Sequence, residues 1–545
     1  MSIRTTRAVL TAGVFLCGFQ GVLGAQGPRF EVTIAPGARS EPVTGRLIVV
    51  IAKNKEPEPR YQISPSGAAM AAIELEQVAP GATSVVDGRS LGYPGNLSDV
   101  PAGKYWVQAI INVYQRVTRA DGHTIWVPFN DGRQAPFQVA EGNLYSTPVE
   151  VDLGPGSTTR LTIDQVVPRE PDPVDNEWVR HFKIQSKKLS AFWGRPVFIH
   201  ATALLPKGYP TETNRRYATV YTLGHNVPFS FSTDSARVRG RGTISPVTGL
   251  ETGYDFYLAW SSDSFPRMVA ISFEQQTPYF PDGYSVNSAN NGPYGDAVVE
   301  EVIPYLEKQL RLVSAPYARL VEGASTGGWS ALNLQLRHPD FFGGAWVLQP
   351  DPIDFRRYQL LNIYEDANAF TQPLGAFNVA ERPFRRSVEG QVVWTARQLS
   401  RFEEVLGTRG RSGFQLEAWE ANYGPVGNDG YPKPLWDKLT GAIDKDVAAY
   451  MKENGYDLRE YAERSWNTLG PKLAGKLHLF SGDMDDFYLN LAVYRFEDFA
   501  KATKNPVSDA TFTYGRPMKG HAWHAFPWAE LVRQMDAHVK RNGRQ

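Results

Sequence analysis

Residues 318–337 read Ala318-Arg319-Leu320-Val321-Glu322-Gly323-Ala324-Ser325-Thr326-Gly327-Gly328-Trp329-Ser330-Ala331-Leu332-Asn333-Leu334-Gln335-Leu336-Arg337. A short apolar run that fits a buried strand meets Gly-x-Ser-x-Gly, and a segment of helical periodicity follows. A chain that turns this sharply from strand to helix forces the corner residue into a strained backbone. Glycines two before and two after it remove side chains that would clash. Ser325 occupies the corner and is the candidate nucleophile. The helix beyond it aims its N-terminal amides at a reacting carbonyl, so the Thr326 N–H is the first candidate oxyanion donor. The same pattern occurs once more, at Gly88-Arg89-Ser90-Leu91-Gly92. Asp87 and Tyr93-Pro94-Gly95 flank that copy and no helix follows it, so it reads as a loop.

Outward from the serine, runs at Val197 to Leu205, Ala218 to Leu223, Met268 to Phe273, Leu320 to Glu322, Ala345 to Leu348, Leu477 to Phe480 and Thr511 to Tyr514 alternate with helical segments such as Tyr294 to Leu312. That rhythm predicts a mostly parallel sheet covered by helices, an α/β domain over 179–545. Between about Arg356 and Pro471 the rhythm breaks in a long charged interval carrying Trp394, Trp419, Trp436 and Trp466, which we read as a helical cap inserted over the site. The first part, about 29–165, has short alternating runs separated by Gly, Pro, Asn and Asp, the pattern of an antiparallel, immunoglobulin-like β-sandwich. Trp106 and Trp126 in it read as core residues before they read as a sugar platform. The Pro-rich, charged stretch around Val167 to Asp175 cannot pack and marks a linker over 166–178.

The chain has 545 residues, more than one core usually organises, and Lys+Arg equals Asp+Glu at 57 each. A protein that neutralises phosphates shows a basic excess, so no nucleic-acid partner is implied. Arg4 and Arg7, the apolar Ala8 to Phe19 and Val22-Leu23-Gly24 read as a signal peptide over residues 1–25, predicting a secreted or periplasmic protein. The apolar stretch is too short to span a bilayer. Cys17 is the single cysteine and lies in that segment, so the mature chain has no disulfide, thiol nucleophile or cysteine-ligated metal. The reading calls for no cofactor and assigns no metal.

A serine hydroxyl needs a proton acceptor, and behind such an elbow the partners follow in the order Ser, Asp, His. Of the histidines after Ser325, His338, His478 and His538 fall at a helix end, in a strand and in the terminal helix. His521 and His524 follow the last strand, and His521 is preferred because Gly520 can shape its turn. The acid comes from Ser481-Gly482-Asp483-Met484-Asp485-Asp486, where three carboxylates share one loop and spacing does not choose among them. One would orient the imidazole while the others cap the helix near Tyr488.

From about Lys183 to Arg541 the chain resembles the esterase D-like family of α/β-hydrolases, which includes S-formylglutathione hydrolases, feruloyl esterases, enterochelin esterases and mycolyltransferases. The resemblance rests on Arg216 to His225, Glu301 to Leu306, Gly323 to Gly328, His338 to Phe342, Gly482-Asp483-Met484-Asp485 and Gly520-His521-Ala522-Trp523. It implies Asp485 as the acid at the end of a Gly-x-x-Asp turn and His521 as the base of a Gly-His-x-aromatic turn. It also implies a second oxyanion amide from Gly224 or His225, where His225-Asn226 departs from the family's usual glycine. The expected activity is hydrolysis of a small-molecule or polysaccharide-linked carboxylic ester through an acyl-enzyme, with feruloyl and acetyl groups as first candidates. An acyltransferase or siderophore esterase on the same triad, and a non-catalytic carbohydrate- or surface-binding protein, are the alternatives. Oligomeric state is not legible.

Overall fold

The computed structural model describes residues 27–224, 230–236 and 240–543. Residues 1–25, read above as a signal peptide, and His225 lie outside the described residues.

The first domain is built from strands that alternate inward apolar and outward polar residues. In Arg29–Ile34, Phe30, Val32 and Ile34 face the core while Arg29, Glu31 and Thr33 do not. Nine strands are hydrogen-bonded as one sheet. Arg29–Ile34 and Val43–Ala52 are separated by three strands along it, yet their inward residues share one apolar cluster. The sheet therefore folds over on itself and encloses its core as a sandwich does. The pairing is antiparallel except between Arg29–Ile34 and Thr158–Val166, which run parallel. Val43–Ala52 is buried on both faces: Leu47, Val49 and Ile51 fill this core, while Ile48, Val50 and Ala52 pack on the second domain. Trp106 and Trp126 are only half-buried, so neither belongs to the core. Lys55 lies over the Trp106 ring, and the Trp126 backbone N–H donates to the Tyr431 hydroxyl of the second domain.

After residues 167–176, which form neither helix nor strand, comes an eight-stranded sheet. We number its strands β1 (Val179–Ser186), β2 (Val197–Leu204), β3 (Ala218–Leu223), β4 (Met268–Glu274), β5 (Arg319–Ala324), β6 (Gly344–Leu348), β7 (Leu477–Gly482) and β8 (Thr511–Gly515). Their order is β1-β2-β4-β3-β5-β6-β7-β8. Only the β1–β2 and β2–β4 pairs are antiparallel. The central strands are apolar without alternation because helices cover both faces. The edge strand β1 was not expected from sequence: Val179-Arg180-His181-Phe182-Lys183 is half-exposed and polar. Loops after the parallel strands open at one edge, where an open α/β sheet binds its ligands.

The interval between β6 and β7 differs in part from the helical cap expected. It holds the helices Ala396–Leu406, Gln415–Tyr423, Lys445–Glu453 and Leu458–Leu469, but also two hairpins, Thr371–Leu374 with Asn378–Glu381 and Pro383–Arg386 with Val392–Thr395. The β-branched run Val392-Val393 before Trp394 favours the strand. Thr395 then stops it, capping the next helix in a reciprocal box with Gln398. No helix among the described residues is long and apolar enough to cross a membrane.

Candidate active site

Strand β5 delivers Ser325 at φ 56°, ψ −119°, directly before the helix Thr326–Arg337. The glycines around it are dictated by space. A Cβ on Gly323 would lie 2.4 Å from the Gly327 carbonyl carbon, and one on Gly327 would lie 2.0 Å from the Leu223 carbonyl oxygen. The elbow is thus wedged against the end of β3, and Gly224, in the left-handed region at φ 112°, turns the chain away from it. The Ser325 N–H is held by the Leu348 and Gln349 carbonyls at 3.0 and 3.1 Å. Ser90, by contrast, is a turn residue whose hydroxyl accepts from the Asp87 N–H.

The loops after β7 and β8 bring an acid and an imidazole together. Asp485, fully buried, accepts from His521 Nδ1 at 2.7 Å through Oδ2. Its Oδ1 accepts from the N–H groups of Phe487 and Leu489. The other two carboxylates do not cap the following helix as expected; they tie down the histidine loop instead. Asp483 accepts from Lys519 N–H and Asp486 from His521 N–H. Burial by itself lowers the basicity of His521, but Asp485 outweighs it, with Asp351 and Asp486 adding to the effect, and the imidazole is held above its ordinary value. His524 is pushed down to about 4 by burial and packs its ring against Trp528. His338, His478 and His538 are also away from this loop, His478 packing at a tilt against Trp346 and His538 bonded to the Gly343 carbonyl.

The hydroxyl proton of Ser325 points to Asp351, with Oγ 3.1 Å from Oδ1. Asp351, just past β6, was not singled out in the sequence. Its Oδ2 accepts from Tyr284 Oη at 2.6 Å, Gln415 Nε2 at 3.0 Å, Trp419 Nε1 at 3.1 Å and Thr326 Oγ1 at 3.2 Å. Gln349, two residues earlier, donates from Nε2 to the His521 and Trp523 carbonyls. Tyr284, Ser325 and Gln349 all have positive φ, at 56°, 56° and 35°. Three non-glycine residues in that region within one network mark a place where backbone strain is sustained by surrounding contacts.

The "Putative esterase" family matches residues 198–526, more than half of the chain. The chain belongs to this family. The protein is accordingly a carboxylic ester hydrolase of α/β-hydrolase fold. No curated protein matches it. Among solved structures the esterase is similar to a ferulic acid esterase, with 16% identity over 67% of this chain and 97% of that one and a TM-score of 0.33. It is similar to an S-formylglutathione hydrolase from Staphylococcus aureus, with 12% identity over 67% and 98% and a TM-score of 0.30. It is also similar to an esterase from Pyrobaculum calidifontis, with 15% identity over 67% and 84% and a TM-score of 0.32.

Over Ser325 the esterase has a cavity of about 340 Å³. Its walls are Phe280 and Pro281 from the loop after β4, Phe487 and Leu489 after β7, and Phe384, Trp394, Leu399, Phe414 and Trp419 from the insertion. Pro65 of the first domain completes it, and neighbouring Ser66 accepts from Trp394 Nε1 at 2.6 Å. Asp351, Tyr284, Gln349 and Gln415 were missed in the sequence reading, and Trp419 was read only as part of the inserted cap; they come from separate segments of the chain. One signal was available: Gln349-Pro350-Asp351 puts a carboxylate at the carboxyl end of a buried parallel strand, where this fold gathers its chemistry.

Proposed function

We propose that this esterase works through an acyl-enzyme on Ser325, with His521 as general base and Asp485 as the acid that orients and stabilises the imidazole. The observation that carries this reading is a histidine bonded to a buried carboxylate at 2.7 Å, on the loops after β7 and β8, in a fold that also holds a strained serine at the head of a helix. In the first step the Ser325 hydroxyl turns from Asp351 towards His521 Nε2 and gives it the proton as Oγ bonds to the ester carbonyl carbon. The resulting oxyanion lies against the Thr326 N–H and the backbone at Gly224, with His225 as the alternative second donor. Collapse breaks the bond to the leaving alcohol, whose oxygen takes the proton from Nε2. Water then repeats the sequence: it loses a proton to Nε2, attacks the acyl carbon, and releases the acid and Ser325. No cofactor enters these steps.

The substrate we propose carries an acyl group that fills an aromatic-walled cavity. Feruloyl and acetyl esters are the first members of the panel, and the sequence of residues 1–25 supports a substrate met after export. Hydrolysis of p-nitrophenyl acetate by wild type, Ser325→Ala and Ser90→Ala tests the assignment. Loss of about 10⁴-fold or more in Ser325→Ala alone is expected. Equal activity in Ser325→Ala, or a wild type that neither hydrolyses the ester nor reacts with a fluorophosphonate, would remove the nucleophile assignment.

A further inference from the structure

We propose that Asp351 is an ammonium subsite, and that the preferred acyl group carries a protonated amine on the carbon next to the ester carbonyl. This rests on the reading of Ser325 as nucleophile and specifies its substrate class: α-amino esters with an apolar or aromatic side chain.

Asp351 is only 2% exposed and, among the described residues, is the single charged one lining the cavity over Ser325. Its four partners at Oδ2 are neutral, so the carboxylate is gripped without being neutralised. Gripping one oxygen fixes where the other points, and Oδ1 points at the nucleophile. When Ser325 gives up its proton, Oδ1 loses that hydrogen bond and becomes a desolvated anion beside the reacting carbon. Negative charge then develops on the carbonyl oxygen a few ångströms away, which a fixed carboxylate opposes. Protonated His521 offsets part of this charge without a hydrogen bond to Oδ1, and a substrate that brings its own positive charge meets Oδ1 directly.

Bond lengths put that charge in reach. With an N–Cα bond of about 1.46 Å and a Cα–C bond of about 1.52 Å, an α-ammonium lies about 2.5 Å from the carbonyl carbon. The attacking oxygen approaches that carbon from about 3–3.5 Å. With Oδ1 3.1 Å from Oγ, rotation about the Cα–C bond can turn an ammonium on the attacked face into hydrogen-bond range of it. Around it, Phe280, Phe384, Trp394, Phe414, Trp419 and Phe487 offer ring faces and edges that suit a cation and an apolar side chain. Arg385 stacks on Trp394 and Phe487, but it is paired with Asp486 and does not line the cavity.

The test compares kcat/KM of the full-length esterase for the ethyl esters of L-phenylalanine, 3-phenylpropionate, L-phenyllactate and N-acetyl-L-phenylalanine, at a pH below the pKa of the phenylalanine ester's amine. A charge-assisted hydrogen bond predicts the L-phenylalanine ester ahead of 3-phenylpropionate by about tenfold to a hundredfold. Asp351→Asn should bring that ratio near one, whereas a merely structural role would slow both esters alike. The wild-type ratio stands by itself if the variant does not fold. Equal or better turnover of 3-phenylpropionate or the N-acetyl ester overturns the ammonium subsite while leaving the esterase reading intact. Phenyllactate matching phenylalanine overturns it in favour of a neutral donor. Failure on all four esters together with p-nitrophenyl acetate overturns the esterase reading and this inference with it.

Discussion

At the residue scale, two kinds of constraint meet around Ser325. One is steric: Gly327→Ala would drive a methyl carbon to 2.0 Å from the Leu223 carbonyl oxygen, a backbone atom that cannot rotate away. Urea unfolding should show a loss of about 1–3 kcal/mol, accompanied by loss of p-nitrophenyl acetate hydrolysis. A variant as stable and active as wild type would contradict the wedge between β3 and the elbow. The other constraint is electrostatic. As the proposed base His521 must be neutral, and its folded-state value is raised, so kcat/KM is expected to fall as pH drops through a value above that of an ordinary imidazole. Asp351 is one of the negative charges that hold it up. Asp351→Asn removes that charge, destabilises the imidazolium, and should move the acidic limb of the pH profile to lower pH. A limb that stays in place would show that Asp351 does not act on His521.

At the element scale, the helix Gln415–Tyr423 does the work of the insertion. Gln415 and Trp419 are one turn apart and so share a face, from which both donate to Asp351 Oδ2. One residue further on, Glu420 holds the helix in the insertion: it accepts from the Leu435 N–H and from Lys438 Nζ at 2.6 Å, with both side chains almost wholly buried. Glu420→Ala leaves that ammonium without its closest partner, so a cost of about 3–5 kcal/mol is expected in chemical denaturation. If the unfolding midpoint is unchanged, the pair does not anchor the helix. Helical periodicity and charge density announce an insertion here, but the hairpin ending at Thr395 is a β element within what the sequence presents as a helical cap.

At the scale of the whole molecule, the first domain is fused to the catalytic half rather than tethered to it. Arg46, 3% exposed, donates to the carbonyls of Glu404 and Val405. Arg401 reaches the Gly92 carbonyl and the Asn96 side chain, and Arg411 reaches Glu74 and the Trp126 carbonyl. The second Gly-x-Ser-x-Gly thus has a structural use: its last residue is a docking point for the insertion. A chain starting at residue 179 would expose Leu399, Leu406 and Phe402 and lose the Pro65 wall of the cavity. It should be less stable and aggregate, and any soluble fraction should show a raised KM for bulky aromatic esters with less change for acetate. A fully stable fragment with unchanged KM would make the first domain an independent module.

Local sequence by itself determined the elbow, the run of buried strands, the acidic loop and the Gly520-His521 turn, because each is a short-range pattern in which chain geometry leaves few residue choices. Which carboxylate meets the imidazole was not local: Asp483, Asp485 and Asp486 are equivalent in spacing and are sorted by the turn that buries Asp485 and points the other two at the 519–521 backbone. Asp351 was further from reach still. Its setting is made by Tyr284, Thr326, Gln415 and Trp419, residues from three separate segments that the sheet order and the inserted helix bring around one oxygen atom. Hydrogen bonds act over about 3 Å, and only tertiary packing brings partners 25 to 68 residues away from Asp351 within that distance.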